Sequence, residues 1–260
     1  MRADKQHKRI FIDSDTYVHT VLVQPVLRPQ KRTLFIFSHG FTADGAEGAR
    51  LFIRLSDTLL ALGYPSMLFD YRGSGYSDLD YEDMTFDTEC ADLHAVIQFA
   101  REKFPTHQIA LWGVSLGSAV AAQIAAHRSD ISLLILWCLS ADLYRRYRER
   151  LGPDIEKQGY TYIDKGFKVK RAFLDSLKDR DTYAAIKQAK VPCLLVHGDA
   201  DTVASVELSR TAHRIAPENT TLCEIQGANH VFSLPPEASE EAIRITMDWI
   251  NERTTNWQAY

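Results

Sequence analysis

Three polar residues that lie far apart in the chain have the types needed for nucleophilic catalysis. Ser115 stands in the run GVSLG, Asp201 in HGDAD and His230 in GANH. A serine hydroxyl attacks a carbonyl carbon effectively only when a base removes its proton and a carboxylate orients that base. The chain order serine, aspartate, histidine suits a sheet protein whose nucleophile follows a central strand. We therefore predict Ser115 as nucleophile, His230 as base and Asp201 as the acid that orients the base.

Other polar residues near these motifs compete for the same roles. Asp199 is the first carboxylate of HGDAD. We prefer Asp201 because it lies further beyond the strand end, and we expect Asp199 to hold its loop by binding backbone N–H groups. Among the nine histidines, His230 stands in the last strand-to-helix loop. His197, at a strand end, is predicted to be a structural hydrogen-bonding residue, and His39 is predicted to stabilise a turn.

The residues around Ser115 predict a turn that exposes its hydroxyl. The run IALW before the serine is typical of a buried strand, and SAVAAQIAAHR after it is typical of a helix. A strand that turns directly into a helix strains the backbone at the apex, and side chains two positions before and after would collide with neighbouring elements. Gly113 and Gly117 would remove both collisions and leave Ser115 at the positive end of the helix. The alternative is a glycine-softened turn without chemistry.

The segment FIFSHGFTADG, residues 35–45, supplies candidate donors for the oxyanion that forms during acyl transfer. After a buried strand, the run His-Gly-Phe predicts a turn whose Phe41 N–H faces the substrate carbonyl. Together with the N–H of Leu116, directly after the serine, it would form a two-donor oxyanion hole. The alternative is an ordinary loop glycine after a strand.

No metal or cofactor motif accompanies these residues. The four cysteines lie far apart and form no Cys-x-x-Cys, so neither a zinc site nor a disulfide framework is predicted. The run DYRGSGYSD, residues 70–78, lacks the third glycine of a dinucleotide fingerprint and the Lys-Ser/Thr of a phosphate loop. We interpret it as structural, with Asp70 and Arg72 fixing loops near the site. We expect no cofactor and no metal.

Short apolar runs alternate with longer amphipathic segments, which predicts an α/β protein with helices covering a mostly parallel, eight-stranded sheet. Two segments, FDTECADLHAVIQFAREKF and PEASEEAIRITMDWINER, carry apolar residues at helical spacing on one face. The first two strands precede any helix, so we expect them to form an antiparallel hairpin at one edge. The predicted strands are RIFID, VHTVLVQ, TLFIFSH, SMLFDY, IALWGV, LLILWCL, CLLVHGD and TLCEIQG.

Residues 139–178 interrupt this alternation and are rich in tyrosine and arginine. We predict that they form a small cap inserted after the sixth strand of a single domain, residues 1–260. Six cap aromatics could line a substrate pocket or only join the cap to the core: Tyr144, Tyr147, Tyr160, Tyr162, Phe167 and Phe173. From these we select Tyr144, Tyr162 and Phe167 as substrate-binding residues. The run RRYRER, residues 145–150, is expected on a solvated helix face, with an anionic-substrate site as the alternative.

Length and composition limit the remaining possibilities. A chain of 260 residues, 45% hydrophobic and 25% charged, can bury a core of its own. Its formal net charge of −4 gives no overall attraction for nucleic acid or anionic membranes, so neither is expected as a partner. We find no secretion signal and no run of about 18 apolar residues that could span a membrane, and we expect a cytoplasmic protein. The oligomeric state stays open, with a homodimer as one option.

The motifs SHGF, DYRGSGYS, GVSLGS, VHGDADTV and GANH, in this order and spacing, resemble those of the α/β-hydrolase superfamily. More narrowly, HGF with a small inserted cap is similar to bacterial carboxylesterases that include cinnamoyl and feruloyl esterases and monoacylglycerol-lipase-like enzymes. The resemblance implies that an ester acylates Ser115, that water then releases the acid, and that no cofactor takes part. Leu116 stands where many cinnamoyl esterases have glutamine, but the donor at this position is a backbone N–H.

The residues and the resemblance together predict a serine hydrolase of carboxylic esters. Its small-molecule substrate would carry a small-to-medium acyl group or an aromatic, hydroxycinnamoyl-type one. An amidase or serine exopeptidase could use the same three residues, provided that it protonates an amine leaving group. A non-catalytic binding protein on the same fold is a third reading, which is disfavoured because no position of the triad is substituted.

Overall fold

An eight-stranded sheet runs through the chain in the computed structural model, which describes residues 3–12, 16–26, 31–163 and 166–254. Asp13, the last residue of the first predicted strand, lies outside the described residues. Within them, the strands are β1 (Ala3–Phe11), β2 (Tyr17–Pro25), β3 (Thr33–Ser38), β4 (Ser66–Phe69), β5 (Gln108–Val114), β6 (Ile131–Trp137), β7 (Tyr160–Tyr162), β8 (Lys168–Lys170), β9 (Cys193–Gly198) and β10 (Thr220–Ile225).

The spatial order of the large sheet is β1-β2-β4-β3-β5-β6-β9-β10, and β7 and β8 form a separate antiparallel pair. β1 and β2 are antiparallel, as are β2 and β4, whereas all the other neighbours are parallel. The predicted eight-stranded, mostly parallel sheet with an edge hairpin is therefore confirmed. Because parallel strands end at the same edge, the loops after β3, β5, β9 and β10 begin close together.

Eight α-helices lie between or after these strands within the described part of the chain. The helix after β4 begins at a capping box, in which Thr85 and Thr88 satisfy each other's backbone N–H groups. The helices are α1 (Leu51–Ala61), α2 (Phe86–Lys103), α3 (Leu116–Ala126), α4 (Leu143–Gln158), α5 (Arg171–Ser176), α6 (Thr182–Ala189), α7 (Glu207–Ile215) and α8 (Ala238–Thr254). None of them is both long and apolar enough to cross a membrane.

Apolar side chains pack on both faces of the sheet. On one face α2 buries the stripe that its sequence predicted, including Leu93, Val96 and Ile97, against the strands and α3. On the other face α1 and α8 both pack against the strands, and α8 buries Met247 and Ile250. Both amphipathic helices are confirmed, and the two layers hold the strand ends in fixed positions.

The residues predicted to form the cap, 139–178, contain α4, β7, β8 and α5. They lie between β6 and α6, after the sixth strand, where the alternation of strand and helix is interrupted. α4 contacts both β7 and α5, and α5 also contacts α2. This segment therefore packs on itself and on the helical layer of the sheet.

Candidate active site

Ser115 occupies the turn between β5 and α3 with φ 53° and ψ −122°, a strained conformation for a residue other than glycine. A Cβ added at Gly113 would lie 2.4 Å from the carbonyl oxygen of Gly117. A Cβ added at Gly117 would lie 2.2 Å from the oxygen of Ser38. The two glycines thus permit the sharp turn from strand to helix, as the sequence predicted. The turn presents the Ser115 side chain at the carboxyl edge of the sheet.

The structure brings Ser115, His230 and Asp201 into one hydrogen-bonded chain. His230 Nε2 lies 3.0 Å from Ser115 Oγ, and His230 Nδ1 lies 2.6 Å from Asp201 Oδ2. Because an ionised carboxylate can only accept, Nδ1 carries the proton of the neutral ring and Nε2 is left as an acceptor. The serine hydroxyl can then donate to Nε2, which is the arrangement that general-base activation requires.

Asp201 is buried and accepts hydrogen bonds on both carboxylate oxygens. Its Oδ1 accepts from the N–H groups of Val203 and Ala204 at 2.8 and 2.9 Å, and its Oδ2 also lies 3.1 Å from His197 Nε2. Burial alone would raise the pKa of Asp201, but hydrogen bonds from His197 and His230 outweigh it and hold the pKa well below its usual range. Asp201 therefore stays ionised beside His230 at neutral pH.

Asp199 and His197, which were the alternatives to Asp201 and His230, make the structural hydrogen bonds that were predicted for them. Asp199 is exposed, and its Oδ1 accepts from Gly227 N at 2.6 Å, so it ties two loops together and does not reach His230. His197 is fully buried, and its Nδ1 lies 2.7 Å from Ser209 Oγ. Since both neighbours of His197 Nε2 are acceptors, the Asp201 carboxylate and the Ala204 carbonyl, that nitrogen carries the proton. His197 is a structural support for Asp201.

The two predicted oxyanion donors belong to residues next to Ser115: Phe41 lines the same cavity as Ser115, and Leu116 directly follows it in the chain. Among the described residues, no protein acceptor binds the Phe41 N–H. Leu116 is the first residue of α3, where N–H groups have no partner within the helix. The Phe41 ring stacks on Phe173 and meets the ring of Tyr147, both with centroids 5.1 Å away. These ring contacts hold the loop that carries the Phe41 N–H.

Glu47, which the sequence analysis did not select, holds the same loop from the other side. Its Oε2 accepts from Gly40 N at 2.6 Å, and its Oε1 accepts from Gly48 N at 2.9 Å. Its backbone lies at φ 56°, which is unusual for glutamate. The only signal in the sequence was an acidic residue a few positions after His-Gly-Phe, a pattern too common to be selected.

The run DYRGSGYSD is structural, as predicted. Asp70 accepts from the backbone N–H groups of Gly45 and Tyr76 at 2.6 and 2.9 Å, so it fixes the loop after β3 to the loop after β4. Arg72 donates to Asp92 on α2 through both its side chain and its backbone. These bonds set the position of residues 40–50 beside Ser115.

Within the described residues, one group of three potential metal ligands was found: Cys138, Asp201 and His230, whose ligand atoms lie within 4.8 Å of one another. Cys138 Sγ donates to the His230 carbonyl oxygen. Burial raises the pKa of the Cys138 thiol well above its usual range, so the thiolate that a metal needs is disfavoured. His230 and Asp201 already bind each other. This set is better suited to orienting a proton than to holding a cation.

Two cavities open beside Ser115. The loop cavity, of about 510 Å³, is lined by residues 40–44 and 46–50, Val114, Ser115, His230 and Val231. The helix cavity, of about 380 Å³, lies beneath α4 and is lined by Ser115, Ser140, Arg146, Tyr147, Glu149, Arg150 and Val203. A substrate that places its carbonyl carbon at Ser115 Oγ therefore has space on both sides.

The structure brings none of the three aromatic residues selected for substrate binding, Tyr144, Tyr162 and Phe167, into these two cavities. Tyr162 is 63% exposed, Phe167 packs on Tyr81 with centroids 4.4 Å apart, and Tyr144 packs against the core. Tyr147 lines the helix cavity instead. Which face of α4 meets Ser115 depends on tertiary packing, because aromatic and charged residues alternate around this helix.

The strand order and the serine at the turn after β5 define the class of protein: the chain has the α/β-hydrolase fold. Its likeness to Est1E from Butyrivibrio proteoclasticus, solved with ferulic acid bound, has a TM-score of 0.83 at 25% identity and covers 94% of this chain and 99% of that one. The esterase domain of a Rhodothermus marinus protein gives a TM-score of 0.74 at 20% identity, covering 98% and 100%. The resemblance to the α/β hydrolases is confirmed.

Sequence comparisons agree with this fold. The family model described as Hydrolase_4, serine aminopeptidase S33, matches residues 29–146. Lysophosphatidylserine lipase ABHD12 of Danio rerio is 24% identical over 193 residues, which are 73% of this chain and 48% of that protein. The ABHD12 of Macaca fascicularis is 26% identical over 189 residues, 70% of this chain and 45% of that protein. The chain spans about half the length of these curated relatives.

Proposed function

We propose that the protein is a serine hydrolase that cleaves carboxylic esters through an acyl-enzyme on Ser115. The observation that carries the proposal is the chain of hydrogen bonds from Ser115 Oγ through His230 to Asp201, with separations of 3.0 and 2.6 Å. A binding protein has no use for a strained serine joined to a base and a buried carboxylate. The third reading of the sequence, a non-catalytic member of the fold, is disfavoured for that reason.

The proposed reaction has two symmetrical halves. His230 Nε2 takes the proton of Ser115 while Oγ attacks the ester carbonyl carbon, and the oxyanion accepts hydrogen bonds from the N–H groups of Phe41 and Leu116. His230 then gives the proton to the leaving alcohol, which departs as the acyl-enzyme forms. A water molecule, deprotonated by His230, attacks the acyl carbon and releases the acid and free Ser115. Asp201 stabilises the imidazolium in both halves.

For the substrate, we propose small-molecule esters with a small-to-medium or aromatic acyl group, the hydroxycinnamoyl type included. Support comes from the likeness to Est1E with ferulic acid bound and from the Tyr147 ring on the helix cavity wall. Residues 139–178 would then act as a cap over Ser115, since α4 lies above that cavity. A screen across alkyl, glyceryl, lysophospholipid and hydroxycinnamoyl esters measures kcat/KM for each class.

An amidase or aminopeptidase is the second candidate, because the matching family model is described as a serine aminopeptidase. The same three residues would have to protonate an amine leaving group. Comparing 4-nitrophenyl esters with aminoacyl 4-nitroanilides of similar size separates the two readings. We expect ester turnover to dominate, and anilide turnover far above ester turnover would replace the ester proposal by the peptidase one.

A fluorophosphonate probe tests the nucleophile itself, because it reacts covalently with activated serines. We expect the folded protein to be labelled and the Ser115→Ala variant to remain unlabelled. Ser205→Ala is the matched control, since Ser205 is an exposed serine on the loop before α7, and it should label like the unsubstituted protein. Labelling that survives Ser115→Ala would remove Ser115 from the mechanism.

A further inference from the structure

Helix α4 divides its four arginines between two faces. Arg145 and Arg148 are exposed, and they pair with Asp142 at 3.0 Å and with Glu156 at 3.4 Å. Arg146 and Arg150 are four residues apart, so they share a face, and both line the helix cavity beside Ser115. The run RRYRER therefore combines a solvated, ion-paired face with a cationic face directed at the proposed nucleophile.

Arg146 is held in place by neutral oxygen atoms. Its Nη1 donates to Ser140 Oγ at 3.0 Å and to Ala141 O at 3.4 Å, and its Nη2 donates to Val203 O at 2.7 Å. Among the described residues, no carboxylate lies within ion-pair distance of this guanidinium. A half-buried positive charge that is positioned but not neutralised by the protein favours an anionic ligand.

The remaining donors of Arg146 suit a carboxylate. A guanidinium has five N–H groups, and three of them are used by the oxygens of Ser140, Ala141 and Val203. Among the residues that the structure describes, no acceptor is found for the N–H on Nε or for the second N–H on Nη2. These two nitrogens form the side of the guanidinium that binds both oxygens of a carboxylate in parallel. Arg150 adds a second positive charge on the same cavity wall.

The position of His230 indicates which part of an ester meets Arg146. The imidazole must protonate the leaving oxygen, so the alcohol portion belongs in the loop cavity, which His230 lines. The acyl portion then extends into the helix cavity, past the Tyr147 ring, towards Arg146. A short alkyl chain in contact with Tyr147 would carry a terminal charge to the guanidinium.

We propose that the preferred substrates are monoesters of dicarboxylic acids, whose distal carboxylate is bound by Arg146. This proposal rests on the proposed ester hydrolysis at Ser115. Arg146 is a specificity-determining residue in this scheme, and it takes no part in proton transfer. Glu149, on the rim of the same cavity, is exposed and lies 3.7 Å from Arg145, so it does not compete for Arg146.

Three synthetic esters test this assignment: 4-nitrophenyl hydrogen adipate, 4-nitrophenyl hexanoate and 4-carboxyphenyl hexanoate. The first carries its anion on the acyl side, the second has none, and the third carries it on the alcohol side. We expect the unsubstituted protein to have the highest kcat/KM on the adipate ester. Arg146→Gln should lower the ratio of kcat/KM for adipate over hexanoate by about tenfold or more.

Control variants separate binding from folding. Arg145→Gln, on the solvated face, should leave both the ratio and the activity unchanged, and Arg146→Lys should keep part of the preference because it retains the charge. Arg150→Gln gives an independent, smaller decrease if Arg146→Gln does not fold. Raising the salt concentration from about 0.05 to 0.5 M should reduce the ratio for the unsubstituted protein, because salt ions that enter the open cavity weaken the attraction between the half-buried guanidinium and the carboxylate.

The outcomes distinguish the two proposals. If the protein hydrolyses none of the three esters, ester hydrolysis itself is wrong. If it hydrolyses the hexanoate ester but disfavours the adipate ester, or prefers the 4-carboxyphenyl ester, ester hydrolysis stands and the dicarboxylic monoester assignment is overturned. An equal loss on all three esters in Arg146→Gln would show that Arg146 only supports the fold.

Discussion

Each of the two carboxylate oxygens of Asp201 accepts two hydrogen bonds. Two backbone N–H groups, from Val203 and Ala204, bind Oδ1, while His197 and His230 bind Oδ2. Four protein donors therefore fix the orientation of the carboxylate without any contribution from substrate. His230 is held in one tautomer by a group that is itself fixed, which keeps its Nε2 directed at Ser115 without reorganisation during the reaction.

A matched pair of substitutions tests the choice between the two carboxylates of HGDAD. Asp201→Asn should lower kcat by about a thousandfold or more, because the amide N–H₂ opposes the Nδ1–H tautomer of His230. Asp199→Asn should change kcat by less than about threefold, because Asp199 only binds Gly227 N. Steady-state kinetics on one 4-nitrophenyl ester measures both. A comparable loss in the two variants would contradict the role given to Asp201.

Glu47 is predicted to act as a positioning residue for the oxyanion loop. In Glu47→Ala the N–H groups of Gly40 and Gly48 lose their acceptors, so the adjacent Phe41 N–H loses its fixed direction. We expect kcat to fall by about tenfold to a hundredfold with a much smaller change in KM, since an oxyanion donor acts mainly in the transition state. Glu47→Gln, which keeps one acceptor, should recover part of kcat. A loss confined to KM would refute this role.

At the scale of elements, the contact between α3 and the end of β3 decides whether the nucleophile turn can form. Gly117→Ala would place its Cβ 2.2 Å from Ser38 O and 2.4 Å from His39 O, and both are backbone atoms of a central strand and its loop. We expect a loss of about 3 kcal/mol or more in the free energy of unfolding, measured by urea denaturation.

Gly48→Ala, just before α1, is the control for this substitution. The nearest atom to its added Cβ would be Val231 Cγ1 at 3.6 Å, which is an ordinary van der Waals contact. Alanine also restricts the unfolded chain more than glycine does, so stability should be unchanged or slightly higher. If both variants lost the same stability, the backbone contact at Gly117 would not be the cause.

Elements with strong apolar patterns could be predicted from the sequence, and those without could not. The runs TLFIFSH and IALWGV are mostly apolar and form central strands, since both faces of a parallel sheet are covered and these positions are buried. The turn at Ser115 followed from its two glycines. In contrast, half of the residues of α4 are charged, so its pattern did not show that Tyr147 and Arg146 face the cavity while Tyr144 does not. The contact between Glu47 and Gly40 could not be predicted either, because both lie in an irregular loop without a helical or strand periodicity.

Across the whole molecule, one buried acid connects several parts of the fold. Glu89 on α2 is 3% exposed, and its Oε2 has no hydrogen-bond partner among the described residues. Burial and then the nearby Glu89 carboxyl raise the pKa of Tyr71, and the same two causes raise the pKa of Tyr81. Burial, with a contribution from Asp92, raises the pKa of Glu89 well above its usual range. The folded environment of Glu89 thus favours the protonated form of its carboxyl.

This preference for the protonated form makes the free energy of unfolding depend on pH, with a definite sign. The pKa of Glu89 is higher in the folded chain than in the unfolded one, so its contribution is complete below the unfolded pKa of about 4.3 and is lost as pH rises. Glutamine does not ionise, so the Glu89→Gln variant lacks this contribution to the pH dependence of the free energy of unfolding. The free energy of unfolding of Glu89→Gln, relative to the unsubstituted protein, should therefore rise between pH 5 and pH 8, by up to about 1.4 kcal/mol per pH unit.

Urea denaturation at pH 5, 6, 7 and 8 measures this difference. Glu102→Gln is the control, because Glu102 lies on the same helix but is exposed, and its difference from the unsubstituted protein should stay constant over this range. A constant difference for Glu89→Gln as well would mean that Glu89 ionises in the folded state as easily as in the unfolded one. The carboxyl would then have to reach water, which requires the layer formed by α2 and the rings of Tyr71 and Tyr81 to open in the native protein.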